Sequence, residues 1–145
     1  MRALNPRVRA PDRYDVFDLE RIVDESGTLY VGELARFRHG PFDRIVLITG
    51  VPAGGSRGGH AHKWQSEYVI CVSGGVDVRL ESRGELATVE LRRPGRTLFL
   101  PAGYWRDLVA FMPGTVLAML ATEPFDEEDY IRNHDAFVRW EAGVP

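Results

Sequence analysis

Short apolar runs recur along most of the chain, separated by Gly, Pro and Asp, at a spacing of about ten residues. The run 76–81 alternates strictly between apolar and polar side chains, as expected for a strand with one buried and one exposed face. This pattern is typical of an all-β sandwich or barrel. The predicted strands are 28–33, 44–49, 67–73, 76–81, 87–91, 97–100, 106–111 and 115–121.

Glycine-containing breaks indicate how some of these strands connect. The sequence Ser-Arg-Gly-Glu at 82–85 predicts a hairpin turn, and Gly74-Gly75 predicts a second one. The C-terminal part lacks the strand pattern. There, Asp126 is suited to cap a helix with an acidic first turn, and Tyr130, Phe137 and Trp140 supply an apolar stripe. We therefore predict a helix over 125–140 that closes one end of the barrel.

The composition fits one compact domain over residues 1–145, with 44% hydrophobic and 27% charged residues. The net charge of −3 disfavours a nucleic-acid partner, because such proteins normally carry a basic surplus. The one cysteine, Cys71, lies in an apolar run and predicts no disulfide framework. There is no secretory signal and no apolar run of about 18 residues, so we expect a cytoplasmic protein without a membrane partner.

The segment 54–74 carries the most specific pattern of the chain, G-x5-H-x-H-x4-E-x6-G. Its two histidines, His60 and His62, are two residues apart on a strand and therefore point to the same face. Glu67 can reach them from the next strand. We expect the two imidazoles and this carboxylate to share one pocket.

A second pattern follows, in which Gly95, Pro101 and Gly103 are spaced as in G-x5-P-x-G-x2-H. Arg106 replaces the final histidine. An arginine carries donors only and stays protonated, so it cannot bind a metal ion. The two patterns resemble the signature blocks of the cupin superfamily, and this resemblance implies a single-domain jelly-roll barrel.

Three segments narrow the resemblance: RGGHAHK at 57–63, PAGYWRDL at 101–108 and FDEEDYIR at 125–132. They resemble the WxcM-like nucleotide-sugar 3,4-ketoisomerases, a branch of the cupins. The resemblance implies a metal-free isomerase that moves the ketone of a dTDP-linked 4-keto-6-deoxyhexose from C4 to C3 in deoxysugar biosynthesis. It also implies a homodimer, with the N-terminal segment 1–26 as a swapped or peripheral arm.

The same resemblance assigns functional residues. It implies that His60 and His62 are catalytic. The implied substrate-binding residues are Arg44, Arg57, Lys63, Glu67, Trp105 and Arg106. The chain departs from the family pattern where Val46 and Leu47 replace paired tyrosines.

Histidine chemistry suits this reaction, which needs removal of the C3 proton, an enediol intermediate and delivery of a proton to C4. The ordinary histidine pKa of about 6.5 lets His60 and His62 act as base and acid near neutral pH. The sequence leaves open which histidine acts at carbon. Arg57 or Arg106 is suited to stabilise the enediolate, and the other to bind diphosphate.

Two alternatives stay open. In the first, His60, His62 and Glu67 form a 2-His-1-carboxylate site for Fe(II) or Mn(II), and the protein is a metal-dependent oxygenase or isomerase. Arg106 argues against this site because it would repel the cation and can pair with Glu67. In the second, the loss of the tyrosines leaves a non-catalytic cupin that binds a sugar nucleotide. We predict the cofactor-free ketoisomerase.

Overall fold

The computed structural model describes residues 12–37 and 39–144, and nearly half of them lie in β-strands. In chain order the strands are β1 (Asp15–Asp18), β2 (Glu20–Asp24), β3 (Gly27–Val31), β4 (Arg44–Ile48), β5 (Arg57–His62), β6 (Glu67–Ser73), β7 (Val76–Ser82), β8 (Glu85–Leu91), β9 (Arg96–Leu100), β10 (Trp105–Val109), β11 (Val116–Ala121) and β12 (Tyr130–Ile131). A helix, α1 (His134–Glu141), follows β12. Single 3-10 turns span Leu34–Arg36 and Glu127–Asp129.

The strands form two five-stranded antiparallel sheets and a separate β2–β3 hairpin. Sheet one has the order β1-β9-β6-β11-β4, and sheet two has the order β12-β5-β10-β7-β8. Their inner faces meet in a core that includes Val69, Leu98 and Leu117 from sheet one and Val78 and Leu91 from sheet two. This is the double-sheet jelly roll predicted for a cupin barrel.

Each predicted strand is present, with small displacements of its ends. The hairpin predicted at 82–85 is confirmed, because Ser82 pairs with Glu85. Between them Arg83 (φ 51°) and Gly84 (φ 78°) adopt the left-handed conformation that a type I′ turn requires. The second predicted hairpin is wrong. Gly74-Gly75 leads from β6 in sheet one to β7 in sheet two, so it is a crossover between sheets.

The predicted start of the C-terminal helix is also wrong. The Asp126 side chain accepts a hydrogen bond from the Glu128 N–H, but it caps only a 3-10 turn. The chain then forms β12, which pairs with β5, and this tertiary pairing interrupts the helix predicted over 125–140. The helix itself begins at His134, where the Asn133 side chain accepts from the Ala136 N–H.

The helix covers the outer face of sheet two. Phe137 is fully buried there against Ala61, Trp105 and Ile131. These contacts fix the segment that precedes α1 against β5. The C-terminal helix is therefore anchored on the outer face of sheet two.

The N-terminal segment predicted as a swapped or peripheral arm, 1–26, is described from residue 12 onward; residues 1–11 lie outside the described residues. Within one chain, β1 pairs with β9, with Val16 opposite Leu98, and β2 pairs with β3. Exchange between subunits stays a prediction. Among the described residues, no helix has both the length and the apolar character needed to span a membrane.

Candidate active site

A cavity of about 440 Å³ lies between the two sheets, next to the apolar core. Sheet two lines it with His60, His62 and Arg106, and sheet one lines it with Arg44 and Glu67. Its remaining wall combines apolar side chains, among them Val46, Ile48, Leu108 and Met119, with polar ones. The barrel therefore brings together charged and titratable groups from strands that are distant in sequence.

The histidine pair lies on the inner face of β5, as predicted from the spacing. Alternation along the strand turns His60 and His62 into the cavity and Ala61 toward α1. The ring centroids of the two histidines are 4.9 Å apart, with an interplanar angle of 87°. Arg106 on β10 is in register with His60, so its side chain is on the same wall.

His60 is held in the neutral form. Burial is the largest cause, and the charges of Arg106 and His62 add to it, so the pKa of His60 is lowered from 6.5 to about 3. Its Nδ1 atom is buried and has no hydrogen-bond partner of regular geometry among the described residues, and a backbone contact with Gly58 opposes part of the lowering of the pKa. A neutral imidazole has one unprotonated ring nitrogen, which can accept a proton from a bound molecule.

His62 has a carboxylate partner that the sequence analysis did not find. Its Nδ1 atom lies 2.7 Å from Oδ2 of Asp129, and both residues are buried. Burial lowers the pKa of His62, and the hydrogen bond to Asp129 opposes this effect only in part. Burial by itself would raise the pKa of Asp129, but hydrogen bonds from His62 and the Trp64 backbone N–H outweigh it and lower that pKa.

The acidic run predicted Asp129 in the first turn of a helix. Its position in the segment FDEEDYIR was a usable signal, because this segment supported the family resemblance. Tyr130, which follows it, was predicted on the apolar stripe of that helix and lies instead on β12. The Tyr130 ring centroid lies 4.4 Å from that of His62 and 5.0 Å from that of His60, so this residue forms part of the cavity wall.

A buried ion pair crosses the cavity floor from one sheet to the other. The guanidinium of Arg106 donates to Oε1 of Glu67, and the two residues are only 1% and 4% exposed. Gln65 continues this network, because its amide nitrogen lies 3.2 Å from Oε2 of Glu67. Its amide oxygen accepts from Nη2 of Arg44 at 2.7 Å.

The network does not fit the alternative metal site at His60, His62 and Glu67. The Glu67 carboxylate is bound by the Arg106 guanidinium, which would repel a divalent cation. In the part of the chain that the structure describes, no group of three or more His, Cys, Asp and Glu side chains is arranged to hold a metal ion.

The other predicted substrate-binding residues divide into two groups. Arg44 and Arg57 line the cavity together with Glu67 and Arg106. Lys63 and Trp105 do not line it. Alternation along β10 turns Trp105 away from the cavity, where its indole N–H donates to Asp107 and its ring packs against Phe137. Lys63 follows β5, and its Nζ atom lies 5.8 Å from the centroid of the Trp64 ring.

The fold and the site define a cupin-type barrel whose interior presents a histidine pair beside an arginine–glutamate ion pair. The profile of the FdtA family (WxcM-like, C-terminal) matches residues 12–142, and the chain belongs to this family. It is 27% identical over 129 residues to the TDP-4-oxo-6-deoxy-alpha-D-glucose-3,4-oxoisomerase of Aneurinibacillus thermoaerophilus. That alignment covers 89% of this chain and 93% of the relative.

Solved structures agree with this membership. The sugar 3,4-ketoisomerase QdtA of Thermoanaerobacterium thermosaccharolyticum, in complex with TDP, superposes with a TM-score of 0.84 at 32% identity, covering 90% of this chain and 95% of that one. A histidine-to-asparagine variant of QdtA has been solved with TDP-4-keto-6-deoxyglucose. The TDP-quinovose 3,4-ketoisomerase WlaRB of Campylobacter jejuni has a TM-score of 0.80 at 30% identity, covering 87% of this chain and 97% of that one.

Proposed function

We propose that this protein is a sugar-nucleotide 3,4-ketoisomerase of deoxysugar biosynthesis, which moves the ketone of a dTDP-4-keto-6-deoxyhexose from C4 to C3. The observation that carries the proposal is the pair of histidines, His60 and His62, side by side on one wall of the cavity, each with a lowered pKa. Family membership and the 3,4-ketoisomerases among the relatives support the same activity.

The proposed reaction proceeds through an enediol. One histidine removes the proton from C3, the electron pair of that C–H bond forms a C3–C4 double bond, and the C4 carbonyl oxygen becomes an enolate. A proton then passes from O3 to O4, O3 becomes the carbonyl oxygen, and C4 takes up a proton. The sugar gains and loses no electrons, so the step needs no external oxidant or reductant. We assign the proton transfers to His60 and His62.

Fixed positive charges in the cavity support the intermediate and the substrate. Arg106 faces the cavity beside His60 and is suited to stabilise the enediolate. We assign diphosphate binding to Arg44 and Arg57, because the planar fork of arginine matches phosphate oxygens. We assign to Glu67 the role of holding the Arg106 guanidinium in its orientation through their ion pair. Within one chain, Lys63 and Trp105 receive no substrate contact.

The proposed reaction uses no metal ion and no other cofactor. The support is the chemistry of the donor set, in which Arg106 replaces the last histidine of the second motif and binds the carboxylate of Glu67. An iron or manganese enzyme built on the same residues would need this ion pair to separate. We therefore expect turnover by metal-stripped protein.

The replacement of the family's tyrosines does not remove every phenol from the cavity. Val46 faces the interior opposite Met119, whereas the Leu47 side chain is 65% exposed on the outer face of β4. Tyr130 lines the cavity, with its hydroxyl 3.5 Å from Nη2 of Arg44. The presence of this phenol favours a catalytic protein over one that only binds a sugar nucleotide.

We propose a homodimer that buries the outer face of sheet one. Tyr68, Phe99 and Phe37 form an aromatic cluster on this side, next to a groove of about 1010 Å³. Ile45 and Leu47 are each 65% exposed on the same face of the sheet. Exposed apolar side chains such as Ile45 and Leu47 are suited to an interaction surface, and sedimentation velocity distinguishes a monomer from a dimer. A cytoplasmic location stays a prediction from the sequence.

Proton NMR with dTDP-4-keto-6-deoxyglucose in D2O tests the function. Metal-stripped protein is expected to exchange the C3 proton for deuterium and to produce a new 3-keto signal. Activity that appears only after addition of Fe(II) or Mn(II) would contradict the metal-free mechanism. Tight binding without any exchange would contradict catalysis and favour a binding protein.

A further inference from the structure

We infer that Asp129 is a positioning residue of this site, which holds the proton of His62 on Nδ1 and leaves Nε2 as the nitrogen that exchanges protons in the cavity. The link to catalysis rests on the proposed function. The assignment of the tautomer follows from the hydrogen-bond partners of His62 alone. These partners lie on both sides of the imidazole ring.

The first side is the contact with Asp129. Its carboxylate is 2% exposed, and Oδ2 lies 2.7 Å from Nδ1 of His62. The lowered pKa of Asp129 keeps it ionised near neutral pH, and an ionised carboxylate only accepts hydrogen bonds. Nδ1 of His62 must therefore be the donor.

On the other side of the ring, the contact with Gln65 independently indicates the same tautomer. Arginine can only donate, so the Gln65 oxygen must face Arg44, from which it accepts at 2.7 Å. The carboxylate of Glu67 accepts, so the Gln65 amide nitrogen must face it at 3.2 Å. That same amide nitrogen lies 3.3 Å from Nε2 of His62, which must accept as well.

This arrangement prepares Nε2 of His62 for proton transfer. Its contact with Gln65 is longer than the usual range of 2.7–3.2 Å for such bonds, so a substrate oxygen can replace the amide. When Nε2 takes a proton, the negative charge of Asp129 stabilises the imidazolium that forms. Asp129 therefore acts through His62 and needs no contact with the sugar.

Both carboxylate oxygens of Asp129 accept hydrogen bonds, which makes Asp129→Asn a sharp test. Oδ1 accepts from the Trp64 backbone N–H at 2.8 Å, and a backbone N–H can only donate. An asparagine has one acceptor oxygen, which we expect to stay at Trp64. The amide nitrogen then faces Nδ1 of His62 and forces the ring proton onto Nε2.

The experiment uses 15N-labelled protein near neutral pH, with long-range 1H–15N spectra that distinguish protonated from unprotonated ring nitrogens. In the native protein, Nδ1 of His62 is expected to carry the proton. In Asp129→Asn it is expected to move to Nε2, and kcat is expected to fall by roughly a hundredfold with KM little changed. Far-UV circular dichroism reports whether the variant folds.

Asp126→Asn is the matched control. It removes a carboxylate of the same acidic segment, and asparagine caps the turn as well as aspartate does. We expect the native tautomer and the native kcat. Gln65→Met supplies a second variant that keeps Asp129, and it is expected to retain the proton on Nδ1.

A native spectrum with the proton on Nε2 of His62 would overturn the inference. So would an Asp129→Asn variant with the native tautomer and native kcat, or a Gln65→Met variant with the proton on Nε2. The spectra require no substrate. Failure of the native protein to isomerise the sugar therefore contradicts the proposed function and leaves the tautomer assignment to be judged separately.

Discussion

The guanidinium of Arg106 on β10 forms a buried ion pair with the carboxylate of Glu67 on β6, and this pair joins the two sheets across the cavity. Arg106 stands at the last ligand position of the second cupin motif, and Glu67 stands at the carboxylate position of the first. The residues at these two metal-ligand positions are therefore bound to each other. In the cavity, the two histidines therefore lie next to a fixed pair of opposite charges.

Removing one member of this ion pair is expected to destabilise the fold strongly. Arg106→Met leaves the Glu67 carboxylate buried without its charged partner, at a cost of about 3–5 kcal/mol in the free energy of unfolding. The double variant Glu67→Met/Arg106→Met removes both charges and is expected to recover most of that loss. Urea denaturation of the wild type, both single variants and the double variant measures this coupling. A double variant as unstable as Arg106→Met would contradict the explanation.

The histidine pair is expected to be essential for turnover. His60→Asn and His62→Asn should each lower kcat by about 10²–10⁴-fold, the usual contribution of general acid–base catalysis. His134→Asn is the control, because His134 lies on α1 beside Glu81 and does not line the cavity. It should keep native turnover, and circular dichroism should show the native fold in all three proteins. Native turnover in both cavity variants would rule out the proposed chemistry.

The lowered pKa of His60 predicts a loss of stability in acid. Between pH 6.5 and about 3, the unfolded chain binds a proton at this residue that the folded protein does not bind. This contribution to stability is complete above pH 6.5 and declines as the pH falls below it. At pH 5, about 1.5 pH units lower, the loss is up to about 2 kcal/mol.

Urea denaturation at pH 7.5 and pH 5 measures this effect. The difference in unfolding free energy between the two pH values should be smaller in His60→Asn than in the wild type by up to about 2 kcal/mol. His62 is retained in both proteins, so its own contribution largely cancels in the comparison. Equal differences in the two proteins would show that His60 is not held neutral.

Two motif glycines with similar backbone angles are expected to differ in their tolerance of alanine. Gly74 has φ 75° and Gly54 has φ 76°, so alanine costs about 1 kcal/mol at either position. At Gly74 the added Cβ would clash with Oγ1 of Thr115 and lie 2.7 Å from its Cα, whereas at Gly54 it would meet nothing within 4 Å. Gly74→Ala should therefore lose about 1–3 kcal/mol more than Gly54→Ala in thermal or urea unfolding. Equal losses would show that the backbone relaxes around Thr115.

Local sequence patterns correctly predicted features that depend on a single strand, such as its position and the direction of its side chains. The strict alternation at 76–81 correctly predicted β7, which runs over Val76–Ser82. The two-residue spacing of His60 and His62 correctly predicted a shared face. The same alternation separates Trp105 from Arg106, although the family resemblance grouped them in one substrate-binding set.

The C-terminal segment shows where local patterns were insufficient. An aspartate followed by acidic residues favours a helix start, and Asp126 does cap a turn. The strand pairing of Tyr130 with His62 then ends that turn and directs Asp129 to the imidazole. Nothing in the segment itself identifies this partner.

The sequence by itself determined the all-β class, the approximate strand positions, the family and the common face of the histidines, because each depends on residues close together in the chain. Only the tertiary structure decided which charged groups meet. Arg106 and Glu67 lie on different sheets, and His62 and Asp129 are 67 residues apart. Such pairs depend on how the sheets close around the cavity, since hydrogen bonds and ion pairs act only over a few ångströms.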